Sequence, residues 1–462
     1  MRVLSIDIET FSSVDLTKCG VYKYTESEDF EILLFGYAFD DEEVRIVDLA
    51  QNEKLPIDVI EAIFNPRIIK AAFNAQFERT CLSKYFNKEI PLKQWRCSMV
   101  HALTLGLPRN LESVARCLNL ETQKMDEGKA LIRYFSIPCK PTKTNGDRTR
   151  NLPEHDIEKW ELFKKYCKRD VEVEREIRRK IENYPMTDKE LKLWFLDQKI
   201  NDYGVKVDKE LVENAIECDE GYQKVLMGEA LDLTGLDNPN SPAQLNNWLK
   251  EKGIEVDSLS KANVEELLDE TDDSIVKRML ELRQEMSKTS VKKYEAMDRA
   301  MCSDERIKGL LQFYGAITGR WTGRLVQVHN LPRNDMDDLD LAREILLNGD
   351  YETLEILFDS IPDVLSQLSS MIIKKNNEVI NVTTTNYAAM VFGITAKADT
   401  NLNCNITITG KASEDCSIKI LFSLDGVYYD FKPIQKLAKG DNVIGLPLPM
   451  PQVTAGDHTF MV

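Results

Sequence analysis

VLSIDIETF, residues 3–11, decides the fold of the first part of this chain. Its alternation of apolar and polar residues has the period of a half-buried strand. That period puts Asp7 and Glu9, two positions apart, on one face. Two more strand-like runs follow, EILLFGYAF (31–39) and VRIVDL (44–49), with Asp40-Asp41 between them as a hairpin turn. A helical stretch, a strand from Ile68 to Phe73 and a helix from about Gln76 to Phe86 come next. Asn110 is placed to cap a short helix, LESVARCLNL. Residues 138–151 are polar and read as a loop, and Pro153 opens a long helical region reaching Glu182. Strands first, then strand and helix mixed, describe an α/β domain.

The acids of this region carry its chemistry. Paired carboxylates such as Asp7 and Glu9 repel, and a bound divalent cation reverses that repulsion and holds both ionised. Glu78 lies four residues after Asn74, where a strand passes into a helix. Tyr166 and Asp170 are four apart on a helix and hence neighbours on one face. Taken singly, each has a plainer reading: a solvated strand face, an exposed first-turn glutamate, a buried tyrosine beside a surface aspartate. Taken together, four acids from three segments make an oxygen cage for two divalent metals, and hard oxygen donors suit Mg²⁺ or Mn²⁺. In such a cage one ion lowers the pKa of a bound water and the other stabilises a leaving 3′ oxygen, which is phosphodiester cleavage. Phe11, Phe77 and the basic loop around Arg148 and Arg150 are candidates to contact a single-stranded end by stacking and by phosphate contact, and core packing is the stronger reading of the two aromatics.

In order and spacing these motifs are similar to those of the DEDD superfamily of 3′–5′ exonucleases, in the subgroup with tyrosine in the third motif. The resemblance covers about residues 1–183 and implies a ribonuclease H-like fold. It implies Asp7, Glu9, Glu78 and Asp170 as metal ligands and Tyr166 as the residue positioning the attacking water. Glu78 stands where that family has aspartate, so its carboxylate reaches about one bond length further.

Residues 186–334 resemble the segment joining exonuclease to palm in family A DNA polymerases (DNA polymerase I) of phage type. The stretches that carry this are WFLDQKINDYGVKVD (194–208), NPNSPAQLNNWL (238–249), LELRQEMSKTSVKKYEAM (280–297) and YGAITGRWTGRLVQVHNLPR (314–333). By that resemblance Arg320, Arg324, Asn330 and Arg333, with Lys288, Lys292 and Lys293, would line primer–template DNA. Their grip would be on phosphate and minor groove, independent of base sequence. The resemblance stops near Ser369, and no palm aspartate pair or fingers helix follows. Nucleotide addition by this chain alone is therefore not expected, and a palm-bearing polymerase partner would be needed for it.

The bulk numbers fit this division. At 462 residues the chain is too long for one ordinary core. Three regions are expected: an α/β exonuclease-like domain at 1–185, a mostly helical thumb-like region at 186–370, and a β-rich domain at 371–462. The last has short β-branched runs separated by turns, which suggest a small β-sandwich. Ten cysteines without a Cys-x-x-Cys pair argue against a zinc ribbon and for reduced thiols, and none of the four histidines pairs at metal-ligand spacing. The net charge of −17 does not announce a nucleic-acid binder, although local basic patches suffice for one. No run approaches a membrane span and the start reads directly as a strand, so a cytoplasmic protein is expected. Other readings fit the same residues: a ribonuclease using the same site, a DNA-binding or virion-associated protein with a vestigial nuclease site, and one fragment of a split DNA polymerase.

Overall fold

The computed structural model describes residues 2–120, 125, 127–256, 258–288, 291–331, 336, 338–358, 360–369 and 372, and beyond these the backbone of the strands given below. Two compact units emerge, Met1–Lys374 and Lys375–Val462.

The first unit begins with a mixed sheet. Its strands are β1 (Val3–Phe11), β2 (Glu31–Phe39), β3 (Arg45–Asp48), β4 (Ile69–Ala72) and β5 (Trp95–Cys97), in the spatial order β3-β2-β1-β4-β5. β1 pairs antiparallel with β2 and parallel with β4, so it lies inside the sheet and both its edges are hydrogen-bonded. The hairpin turn expected at Asp40-Asp41 joins β2 to β3, with Asp40 at a φ of 42°. Interleaved are α1 (Leu16–Glu26), α2 (Ile57–Phe64), α3 (Ala75–Tyr85), α4 (Ser98–Thr104), α5 (Leu111–Cys117), α6 (Gly128–Phe135) and α7 (Ile157–Ile181).

Alternation along β1 splits its side chains between two cores. Leu4, Ile6 and Ile8 join a cluster with Val59 and Ile63 of α2 and Leu82 of α3. Phe11 turns to the other face and packs with Phe135 of α6 and with Trp160, Phe163 and Tyr166 of α7. Burying side chains of this size stabilises by about 1.5–3 kcal/mol each.

Two elements differ from the sequence reading. The run between β1 and β2 contains α1, two helical segments meeting at Gly20, whose φ is 77°. Its apolar residues show no clear 3.6 period, because the kink breaks the face. The long helix starts at Ile157 rather than at Pro153. Pro153–His155 form one 3-10 turn, and Asp156 caps the helix by accepting the Lys159 amide at 3.0 Å.

Residues beyond 185 are mostly helical: α8 (Asp188–Tyr203), α9 (Lys209–Thr234), α10 (Pro242–Glu251), α11 (Lys261–Glu270), α12 (Ser274–Ser287), α13 (Lys292–Ala300), α14 (Leu339–Leu347), α15 (Tyr351–Leu357) and α16 (Ile361–Leu368). Two short ribbons interrupt them. β6 (Val205–Lys206) pairs with β7 (Arg306–Ile307), and β8 (Leu311–Gln312) pairs with β9 (Thr322–Gly323). Trp194 of α8 and Phe313 pack into the sheet's own core.

Polar contacts tie α8 to the second ribbon. Asp197 is 2% exposed and accepts from Trp321 Nε1 at 2.8 Å, Gln198 Nε2 at 3.1 Å and Asn201 Nδ2 at 3.2 Å. Burial outweighs these donors and lifts its carboxyl from the ordinary 3.8 to about 6. A raised acid favours folding below the ordinary value and loses that advantage as pH climbs through about 6. Relative to Asp197→Asn, the wild type should therefore become less stable by about 3 kcal/mol between about pH 4 and pH 7. Denaturant melts of both proteins across that window measure this; a difference that stays flat refutes it.

The second unit holds β10 (Val391–Ala396), β11 (Thr400–Ala412), β12 (Cys416–Ile418), β13 (Leu421–Leu424), β14 (Val427–Asp430), β15 (Gln435–Leu437), β16 (Gly440–Val453) and β17 (Gly456–Met461). They form a four-stranded sheet, β10-β17-β13-β14, and two pairs, β11-β16 and β12-β15. The unit is β-rich, as its β-branched runs indicate. The start of this region, from 373 to 390, lies outside the described residues.

Candidate active site

The three acid-bearing segments come together beside β1: Glu78 feels the charge of Asp7, and Tyr166 those of Glu9, Asp170 and Asp7. β1 delivers Asp7 and Glu9 from adjacent same-face positions. A register shift in the β1–β2 pairing follows at once, between Glu9 and Thr10. Asn74, in the left-handed conformation (φ 80°), turns the chain sharply from β4 into α3. That turn drives Glu78, in the first turn of α3, inward rather than into solvent, and it is only 3% exposed. α7 delivers Tyr166 and Asp170 from one face, 2% and 5% exposed.

Mutual electrostatics record the convergence. Burial first, then the charge of Asp7, push the Glu78 carboxyl well above the usual carboxylate range, and Glu174 adds to this. Tyr166 is held protonated by burial and by the charges of Glu9, Asp170 and Asp7, and its hydroxyl donates to Asp170. The plainer reading of Glu78 as an exposed helix residue does not survive its burial.

Other residues of the pocket were not apparent in the sequence. The Cys167 thiol lies 3.7 Å from Asp7 Oδ2, and ligand atoms of Asp7, Glu9 and Cys167 all fall within 4.8 Å of one another. Glu174, one helical turn past Asp170, is 2% exposed, accepts a short hydrogen bond from Ser98 Oγ and lies 3.6 Å from Arg178 Nε. Its spacing of four from Asp170 is the only signal the sequence offered. Gly128 opens α6 directly against Tyr166; a Cβ there would stand 2.1 Å from the Tyr166 Cε2 atom.

The donor set suits a hard divalent cation. Glu78 Oε2 is buried without a hydrogen-bond partner, a state that costs about 1–3 kcal/mol unless something coordinates it. Asp7 and Glu9 add carboxylate oxygens beside the Cys167 thiol, and oxygen is the donor that Mg²⁺ or Mn²⁺ takes.

Of the residues proposed for single-strand contact, Arg150 stacks on Phe11 at 3.9 Å and pairs with Glu31 at 2.5 Å, beside the end of β1. Arg148 is engaged within its own loop, with Asn151 and Asn145. Phe77 packs against Tyr24 at 6.3 Å.

The residues proposed to line duplex DNA lie apart from these acids in the chain and divide by their engagements. Lys288 is held by Asp363 and Glu285, both at 2.9 Å, and by Ser360 at 3.0 Å. Lys293 donates to the Asn330 carbonyl at 3.3 Å, and Asn330 donates to Gln327 at 2.9 Å. Lys292 and Arg320 are exposed, Arg320 donating to Thr318 Oγ1 at 3.1 Å. Arg324 is half-buried beside β9. Arg333 lies outside the described residues.

No known family profile matches the chain. Over 369 residues it is 61% identical to the DNA polymerase of Bacillus phage SP02, a match covering 80% of this chain and 57% of that polymerase. The chain thus spans little more than half the length of the curated relative it matches. Among solved structures it is similar to the polymerase domain of Pol1 from M. smegmatis in complex with DNA primer-template and dNTP. There the identity is 13% and the TM-score 0.44, over 74% of this chain and 53% of that one. A likeness that loose carries no functional weight.

Proposed function

We propose that residues 1–185 are a metal-dependent 3′–5′ exonuclease with a ribonuclease H-like fold, removing nucleotides from DNA 3′ ends. In this reading they are the proofreading part of a phage-type family A DNA polymerase. The pairing of Asp7 with Glu9, the charge of Asp7 felt by buried Glu78 with its unpartnered Oε2, and the charges of Asp7, Glu9 and Asp170 felt by Tyr166 carry it. The sheet order and the similarity to a phage DNA polymerase support it.

Asp7, Glu9, Glu78 and Asp170 would hold two divalent ions, Mg²⁺ or Mn²⁺. When bound, such ions acidify a water and neutralise the phosphate and the departing oxygen. The protein's own part is placement. Tyr166 stays a neutral phenol, so its oxygen can orient a water without itself losing a proton. Asp170 fixes the direction of that hydroxyl. Stacking of Phe163 on Tyr166, at 6.2 Å and 12°, limits the ring's rotation. Arg150, stacked over Phe11 beside the end of β1, is the candidate contact for the strand's backbone.

Nucleotide addition is not proposed for these 462 residues. The function is tested by incubating a 3′-labelled single strand with the full chain and Mg²⁺. Stepwise shortening that EDTA stops is the expected outcome, and a strand left intact at high enzyme excess overturns the reading.

A variant tests the role of Tyr166 without touching an acid. Gly128→Ala should push the Tyr166 ring off its position and lower kcat by about a hundredfold, the scale of an ångström misplacement, with little change in KM. Gly128→Ala at wild-type kcat would remove Tyr166 from the mechanism.

A further inference from the structure

Two guanidinium groups from distant parts of the chain come close enough for the charge of one to act on the other. Arg109 sits in the turn joining α4 to α5, and its Nη2 donates to Gln312 Oε1 at 3.2 Å. Gln312 pairs with Thr322 across the β8–β9 ribbon, and the Arg324 amide donates to the Leu310 carbonyl at 2.8 Å, which continues the ladder by one step. Opposed residues in an antiparallel ribbon share a face, and so do residues two apart. Arg324 therefore stands diagonally beside Gln312, on the face that Arg109 reaches.

Neither arginine is compensated. Among the described residues neither joins an ion pair, and Arg324 Nε is buried without a partner. Burial weakens the hold of both groups on their protons, and at Arg109 the charge of Arg324 weakens it further. Two like charges held together in a partly dry place repel, and no carboxylate among the described residues pairs with either. An anion that accepts from both would. The planar fork of arginine matches a phosphate's paired oxygens, so phosphate is the anion that fits. Exposed Arg320, in the loop of the same ribbon, extends the positive strip, which favours a polyanion over a small free ion.

We propose that Arg109 and Arg324 together clamp one backbone phosphate of DNA. This rests on the reading that the chain works on DNA and adds to it Arg109 and the sharing of a single phosphate. The clamp joins a turn of the α/β part to the arginine-bearing ribbon, so it fixes where a strand passes between the two.

The test is anisotropy of a labelled DNA duplex with a single-stranded 3′ tail, titrated with salt in the presence of EDTA. Each lost phosphate contact lowers the slope of log affinity against log salt by about 0.9 for duplex or about 0.7 for single strand. Arg109→Gln, Arg324→Gln and the double variant should all lose the same single contact. The size of the step, with tail-only and duplex-only DNA as separate arms, shows which strand form is held. Gln312→Glu should produce the same loss by placing an internal carboxylate between the arginines, and it stands in if Arg324→Gln does not fold.

An unchanged slope for Arg109→Gln, with or without a lower Tm, would make its bond to Gln312 a mere brace and overturn the proposal. Losses that sum in the double variant would also overturn it, since they would mean two separate phosphates. Hydrolysis of the p-nitrophenyl ester of thymidine 5′-monophosphate reports on the acid site alone. A chain inert in that assay that still shows the slope change loses the nuclease reading and keeps the clamp.

Discussion

Asp7→Ala should abolish shortening of a 3′-labelled strand, by about a thousandfold or more, while leaving the chain folded. The magnitude follows from what a metal ligand supplies. Several kcal/mol of transition-state charge stabilisation pass through the bound ions, and each 1.36 kcal/mol is tenfold in rate. The direction on stability is opposite. Asp7 is a carboxylate crowded by Glu9 and by the buried Glu78, and removing it relieves repulsion. Without added metal, Asp7→Ala should therefore melt at or above the wild-type temperature. With Mn²⁺, the wild type should gain about 3 kcal/mol at a hundredfold excess over Kd, and the variant much less. Metal-dependent shortening retained by Asp7→Ala, or an equal Mn²⁺ stabilisation of both proteins, would place the metals elsewhere.

The largest loss of stability is expected at Trp160. It is 1% exposed, meets Phe135 edge-on at 4.9 Å and Phe163 at 5.7 Å, and donates from Nε1 to Asp48 Oδ2 at 2.7 Å. Trp160→Ala removes the ring, about 3–5 kcal/mol, and strips buried Asp48 of a donor, about 1–3 kcal/mol more. Part of the second loss is recoverable, because Asp48 also accepts from the Gln51 amide and sits 3.6 Å from Lys164. Denaturant melts should give about 5 kcal/mol in all. Trp160→Phe should retain most of the packing and lose chiefly the hydrogen bond. A loss below about 1.5 kcal/mol for Trp160→Ala would mean that α6 and α7 close over the gap. The effect should reach the site as well, because Trp160, Phe163 and Tyr166 form one run of ring contacts along α7.

Much of this was written in the local sequence, and the reasons differ by element. Alternation exposes β1 and the shared face of Asp7 and Glu9, because period two is a property of the strand alone. Asn110 caps α5 by accepting the Ser113 amide at 2.8 Å, as an Asn before an apolar run should. Tyr166 and Asp170 are readable as a pair because α7 is long and uninterrupted. What escaped depends on tertiary contact. α1 hides because its kink at Gly20 erases the amphipathic period. Glu78 looks like a surface residue until the left-handed turn at Asn74 aims it inward. Cys167 and Gly128 matter only through what α7 presses against, which no local pattern encodes. The convergence of Arg109 on Arg324 joins positions more than two hundred residues apart, and neither turn shows any trace of the other.

The double-sided pairing of β1 sets what the lineage of this chain can tolerate. Asp7 stands opposite Gly36 on one edge, and Val3 to Ser5 pair with Ile69 to Ala71 on the other. Because neither edge can slide freely, dropping a single codon before Asp7 would invert parity: isoleucines would swing into the acid pocket and carboxylates into hydrocarbon. Exchanging one acid for another, as Glu78 for an aspartate, moves an oxygen by a bond length and leaves parity alone. Drift at this pocket should therefore be rich in replacements and nearly devoid of insertions and deletions.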